Sequence, residues 1–193
     1  NYAGMITQVD RSVGKLLNKL EQLGLAEDTI VFYTSDNGPN APFLKDLDSN
    51  GPFRGTKREL YEGGLRAAMA VRWPGKIQAG YTSDEIVHEM DLFPTFARIA
   101  GGKVPDDRVI DGIDVFDLLM GKSQKSGRDG FVVYMGNDIF GVKWQDWKIH
   151  LKEQSGWDGV LREYTMPRVY NLINDPFERD NVLFPNTWVL RKG

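Results

Sequence analysis

The run Ile30-Val31-Phe32-Tyr33-Thr34-Ser35-Asp36-Asn37-Gly38-Pro39 carries the reading of the fold. Five consecutive β-branched or aromatic residues read as a short buried strand. Ser-Asp-Asn-Gly-Pro then supplies turn chemistry that ends it. Upstream, Met5, Ile6, Val9, Val13, Leu16, Leu17, Leu20 and Leu23 recur every three or four positions. That spacing predicts an amphipathic helix over 2–23, closed by Gly24. Downstream, 67–73 reads as a second buried strand closed by Pro74-Gly75. A helix is expected over 91–100, with Asp91 near its N-cap and Pro94 in the first turn. Another short helix is expected over 114–120. A helical turn over 57–62 should stop at Gly63-Gly64, and 39–56 reads as a long irregular loop, a place where function often sits. Helices and strands in this order make an α/β layered class.

The texture changes after Lys122. Residues 123–130 are polar, and 131–135, 141–151 and 168–173 are rich in aromatic and β-branched residues, as in a small antiparallel sheet. A hairpin should turn at Gln145-Asp146, and Asn174-Asp175-Pro176 is a further turn. Two domains are expected, 1–122 and 123–193. His150 alternates with Ile149 and Leu151, which predicts a surface position. Trp144, Trp147, Trp157 and Trp188 are explained more cheaply by core and hairpin packing than by a carbohydrate-stacking face. His88 reads as a structural histidine at a helix entry.

Composition excludes several classes. The chain has 193 residues, 41% hydrophobic and 26% charged, with a formal net charge of −3. That is globular composition with no basic footprint for nucleic acid. The longest apolar runs are four or five residues, far from the ~18 that span a bilayer. With no cysteine there is no disulfide, thiolate nucleophile or Cys-ligated zinc, and two histidines leave little for a His-rich metal site. A first residue other than Met leads to the expectation of a processed or truncated product.

Three segments could carry chemistry. Asp36 and Asn37 follow a buried strand, at the sheet edge where ligands of α/β proteins gather. Their carboxylate and amide oxygens are hard donors suited to Ca²⁺ or Mg²⁺; a solvated Asp in an Asn-Gly turn is the plainer reading of the same residues. The segment 54–66 holds Arg54, Lys57, Arg58 and Arg66 with Glu59, Glu62 and three glycines. Such cations can cradle a tetrahedral anion, or can be a solvated, charge-mixed helix. Asp46-Leu47-Asp48-Ser49-Asn50-Gly51 opens like an EF-hand loop, but Lys57 stands where the bidentate Glu belongs, which rejects that reading.

Taken in order, these segments resemble the C-terminal part of a sulfatase, of the arylsulfatase branch of the alkaline-phosphatase superfamily. The resemblance runs through Tyr2-Ala3-Gly4-Met5-Ile6, Leu23 to Gly38, Asn50-Gly51-Pro52-Phe53-Arg54-Gly55-Thr56-Lys57 and Leu60-Tyr61-Glu62-Gly63-Gly64-Leu65-Arg66. It continues in Arg72-Trp73-Pro74-Gly75-Lys76-Ile77, Asp91-Leu92-Phe93-Pro94-Thr95, Asp111-Gly112 and Tyr170-Asn171-Leu172-Ile173-Asn174-Asp175-Pro176-Phe177-Glu178.

The resemblance implies a partial mixed sheet flanked by helices, followed by the small antiparallel sheet and a C-terminal segment. It implies Asp36 and Asn37 as calcium ligands and Lys57 as a contact to the sulfate group of a sulfate ester. Glu62, Gly63, Gly64 and Arg66 match a structural signature around that lysine. The family's formylglycine nucleophile arises from Cys/Ser-x-Pro-x-Arg, and neither a cysteine nor Ser-x-Pro-x-Arg occurs here. The early Asp-Asp metal pair is absent too. The expectation is therefore an inactive fragment of a sulfuric-ester hydrolase with weak or undetectable calcium binding. A stand-alone binding remnant and a fragment of a related phosphate or phosphonate ester hydrolase are the alternatives. Strands left without neighbours suggest a homo-oligomer or pairing with a missing N-terminal half. Family habit points to a periplasmic, secreted or lysosomal setting.

Overall fold

The computed structural model describes residues 2–40, 51–156 and 158–192. The expectations for Asp46 to Asn50, most of the 39–56 loop and Trp157 lie outside them. The chain divides into two compact units, one of 1–34, 69–85 and 90–126, the other of 35–68, 86–89 and 127–193.

The first unit opens with α1 (Tyr2–Gln22). Gly24 takes φ 69, and the bonds Gly24 N→Glu21 O and Leu25 N→Leu20 O close the helix in a Schellman motif. No residue of α1 is buried, and Met5, Ile6, Val9 and Leu16 are among its exposed apolar residues. Strand β1 (Val31–Tyr33) pairs antiparallel with β2 (Ala70–Arg72), with Phe32 opposite Val71. These two strands are the part of the expected mixed sheet that the described residues hold. Trp73 Nε1 donates to Glu27 O at 2.7 Å and Arg72 pairs with Glu21 at 3.1 Å, tying β2 to the end of α1. The α/β character predicted from the sequence is present.

A very short helix, α2 (Glu62–Leu65), belongs to the second unit. It corrects the turn expected over 57–62, because the helix runs through Gly63-Gly64 instead of stopping there. The reason is space: a Cβ on Gly64 would lie 2.3 Å from Glu59 O and 2.4 Å from Thr56 O, so glycine is needed for close backbone approach, not for termination.

In the first unit, α3 (Leu92–Ile99) and α4 (Phe116–Leu119) occupy the expected places, a little shorter than expected. Asp91 sits at the N-cap of α3 without a side-chain capping bond. Its Oδ1 instead accepts from Ile113 N at 2.9 Å, and Thr95 Oγ1 accepts from Val115 N at 3.0 Å. The fully buried Asp91 and Thr95 thus dock the 113–115 segment on the helix.

Strands β3 (Gly130–Met135), β4 (Asp138–Trp144), β5 (Trp147–Glu153) and β6 (Arg162–Asn171) form an antiparallel sheet in chain order. The β4–β5 hairpin turns at Gln145-Asp146, as the sequence suggested. Val142 and its partner Ile149 join Val169, Leu183 and Val189 in one core cluster. Trp188 meets Trp144 and Trp147 edge to face at 6.3 and 5.5 Å, which supports packing as their role. Side chains alternate across a strand. Lys143 and its partner Lys148, with His150, therefore share the opposite face. That face is buried: Lys148 is 0% and His150 2% exposed. The surface position expected of His150 is thus corrected, because residues 54–65 cover this side of the sheet.

Candidate functional site

Residues 37–39 are gripped by the backbone of 57–64. Gly38 N donates to Gly64 O at 2.9 Å, and Lys57 N donates to Pro39 O at 2.9 Å. Gly63 N reaches back to Arg54 O at 2.7 Å. A Cβ on Gly38 would lie 1.7 Å from Gly63 O, so the two segments touch backbone to backbone. This grip brings together the segments bearing all three residues singled out from the sequence, Asp36, Asn37 and Lys57.

Their side chains are available. Asp36 is exposed, and Asn37 and Lys57 are half-buried. The Asn37 amide donates through Nδ2 to Gly38 O at 2.9 Å, which leaves Oδ1 as an acceptor. Neither the Asp36 carboxylate nor the Lys57 ammonium has a side-chain partner among the described residues. Of the three, Asn37 lines a cavity of about 350 Å³, together with Arg58, Leu60, Gly64, Tyr134 and Met135 among others. Arg58 takes φ 77, a backbone conformation that costs a non-glycine residue energy and that tends to cluster at functional sites.

Beneath the grip is a charged core that the sequence reasoning treated only as a signature. Glu62 is 3% exposed, and its carboxylate lies 2.8 Å from Lys148, 3.4 Å from Lys143 and 3.2 Å from Arg66. Two lysines directly opposite each other on a buried face repel, and Glu62 bridges both, with Glu178 a second anion 3.8 Å from Lys148. Burial alone would raise the Glu62 carboxyl, but Lys148, Lys143 and Arg66 outweigh it and bring it down to about 2. Burial pushes Lys143 below its ordinary value against the pull of Glu62. Burial also lowers His150, against its bond to Glu178. Glu153 accepts from the hydroxyls of Tyr61 and Tyr164 and lies 3.8 Å from Arg54. Burial would raise its carboxyl, but these three partners lower it. No local signal reports this core, since the alternation of Lys143, Lys148 and His150 with apolar residues reads as an ordinary polar strand face.

Asp36 and Asn37 fit calcium in kind, as hard oxygens, but offer at most three of the six to eight that it takes. Among the described residues no group of three or more His, Asp and Glu is placed to hold a metal.

Comparison with known proteins gives a consistent pattern. The family model described as Sulfatase matches residues 1–102, and the model described as N-sulphoglucosamine sulphohydrolase, C-terminal, matches 53–188. Steryl-sulfatase of Homo sapiens is 40% identical over 74% of this chain and 25% of its own length. N-acetylgalactosamine-6-sulfatase of Rattus norvegicus is 41% identical over 92% of this chain and 38% of its own length. A crystal structure of the sulfatase PsFucS1 from Pseudoalteromonas sp. superposes with a TM-score of 0.85 at 30% identity, covering 96% of this chain and 39% of that one. The chain thus spans between a quarter and two fifths of the length of these relatives.

Proposed function

The chain belongs to the sulfatase family and corresponds to its C-terminal part, and from this premise we propose that it supplies the later half of the active site of a sulfuric-ester hydrolase. In this reading Asp36 and Asn37 give oxygen ligands to a calcium ion, and Lys57 holds the sulfate group of the ester. The observation that supports it is the backbone grip of 37–39 by Lys57 and Gly64, which joins the segment bearing Asp36 and Asn37 to the one bearing Lys57. Bound calcium would supply positive charge for the sulfate oxygens. Lys57 supplies a second, protein-borne charge aimed at the same group.

These residues hold no cysteine and no Ser-x-Pro-x-Arg from which the family nucleophile is made. The purified 193-residue chain is therefore expected to show no enzyme-like turnover of an aryl sulfate. Inorganic sulfate should still shift the NMR signals of the Lys57 side chain. Lys57→Ala should weaken sulfate binding about tenfold or more, the scale of one charged hydrogen bond. Enzyme-like hydrolysis by the chain alone would contradict the inactive-fragment part of the proposal. An unchanged sulfate affinity would remove Lys57 from the site.

The exposed apolar residues of α1 belong to the same proposal. Met5 and Ile6 are 65% and 51% exposed, and contiguous apolar surface of this kind marks an interaction face. Between 62 and 75% of the length of these relatives lies outside the match, and we expect either such a segment or a second copy to cover α1. Light scattering should show concentration-dependent association, whereas a clean monomer up to high concentration would contradict it.

A further inference from the structure

One glutamate, Glu178, is bonded to both sides of the loop that carries Lys57, through its carboxylate on one side and its backbone oxygen on the other. Glu178 is fully buried. Its Oε2 accepts from Glu62 N at 2.7 Å, and its Oε1 lies 2.9 Å from His150 Nε2 and 3.8 Å from Lys148 Nζ. Its backbone oxygen accepts from Arg54 Nη1 at 3.0 Å. Arg54 precedes Lys57 and Glu62 follows it, and Gly63 N→Arg54 O closes the bracket at 2.7 Å. Arg54 also stacks over the Tyr61 ring at 3.9 Å, so both ends of the bracket touch each other as well as Glu178.

The turn that presents Glu178 is built for it. Asp175 Oδ2 accepts from Arg179 N at 2.6 Å and Asp180 N at 2.8 Å, and Glu178 N donates to Asp175 O at 3.1 Å. Glu178 itself takes φ 50, a left-handed conformation that a non-glycine residue holds only when its surroundings over-determine it. Simple packing needs neither a carboxylate nor that conformation at this place. What the arrangement achieves is a fixed span between Arg54 and Glu62. The bond Gly38 N→Gly64 O passes the same constraint to Asn37.

We infer that Glu178 is a positioning residue for the proposed sulfate site: by binding Arg54 and Glu62 at once, it sets where Lys57 and Asn37 stand. The inference rests on the reading of Lys57 as the sulfate contact, but its exchange test does not. Glu178→Gln keeps the shape and removes the charge. Amide hydrogen exchange in this variant is expected to quicken about tenfold at Lys57, Gly63 and Gly38, while the β3–β4 ladder, which Glu178 does not touch, keeps its protection; local opening of this size is what losing one buried charged bond allows. The sulfate concentration that half-shifts the Lys57 side-chain NMR signal should rise by about the same factor, a readout that a purely structural role would leave alone. If Glu178→Gln does not fold, Arg54→Gln carries the test, since it cuts the bond from Arg54 Nη1 to Glu178 O and should quicken the same three amides. Equal quickening across loop and ladder, or no change at Lys57, would overturn the inference. A Lys57 signal that ignores sulfate in the unmutated chain would instead overturn the site reading and leave the exchange result to stand alone.

Discussion

Glu62→Ala is expected to destabilise the unit of the four-stranded sheet by about 3–5 kcal/mol at pH 7, because removing one partner of a buried ion cluster leaves its other charges unpaired. Lys143 and Lys148 would then face each other across β4 and β5, both buried, with only Glu178 at 3.8 Å from Lys148 as a remaining anion of the cluster. The sign of the pH dependence follows from the same groups. The folded Glu62 carboxyl titrates at about 2 against an ordinary 4.5. Its contribution is whole above pH 4.5 and is lost as pH falls towards 2, on the order of 3 kcal/mol across that window. His150 is lowered from 6.5, so stability also begins to erode as pH drops below 6.5. Glu62→Ala should abolish the first loss and keep the second. It should also regain stability at alkaline pH, where Lys143, already pushed down by burial, sheds its proton. Urea unfolding followed by tryptophan fluorescence at pH 3, 5, 7 and 9 reads all of this. A loss under about 1 kcal/mol at pH 7 would show that the cluster is solvated and weak.

That cluster also shows where the sequence could and could not be read. The local signals were sound for the helix over 2–23 and the turn at Gln145-Asp146, whereas the run at 30–34 became a strand of only Val31–Tyr33 that is not buried as expected, with Tyr33 54% exposed. They are short-range, and short-range chemistry decides them. Val142-Lys143-Trp144 and Lys148-Ile149-His150 likewise alternate cleanly, which ordinarily means a polar face in water. Here the polar face lies under residues 54–65. The carboxylates that make its burial tolerable come from Glu62 and Glu178, 116 residues apart. No periodicity reports such a meeting. The helix through Gly63-Gly64 was misplaced for the same reason, since its glycines answer to neighbours at Glu59, Thr56 and Gly38 rather than to the helix itself. Asp36, Asn37 and Lys57 were legible only as members of a family pattern. The structure adds the backbone contact that makes them neighbours.

Gly38→Ala is expected to be as damaging as the loss of Glu62, through contact alone. Gly38 does not lie in the left-handed region, so its backbone would accept alanine. The space would not: the new Cβ would meet Gly63 O at 1.7 Å, Gly63 C at 2.8 Å and Gly64 Cα at 3.1 Å. All three are backbone atoms, and none can rotate away. The two segments must part, which breaks Gly38 N→Gly64 O and strains Lys57 N→Pro39 O. Overpacking and the lost bonds together should cost about 3–5 kcal/mol. Gly14 in α1 is the control, for a Cβ there meets nothing within 4 Å. Gly14→Ala should stabilise the helix by roughly 0.5–1 kcal/mol, so the same change of one methyl has opposite signs at the two positions. The response of Lys57 to sulfate separates stability from site geometry. If the grip sets the site, any folded Gly38→Ala chain should bind sulfate at least tenfold more weakly, as a lost charged hydrogen bond would, while Gly14→Ala binds it as before. Undiminished sulfate binding by a folded Gly38→Ala chain would show that Lys57 finds its place without Gly38. The backbone grip would then be a matter of packing only.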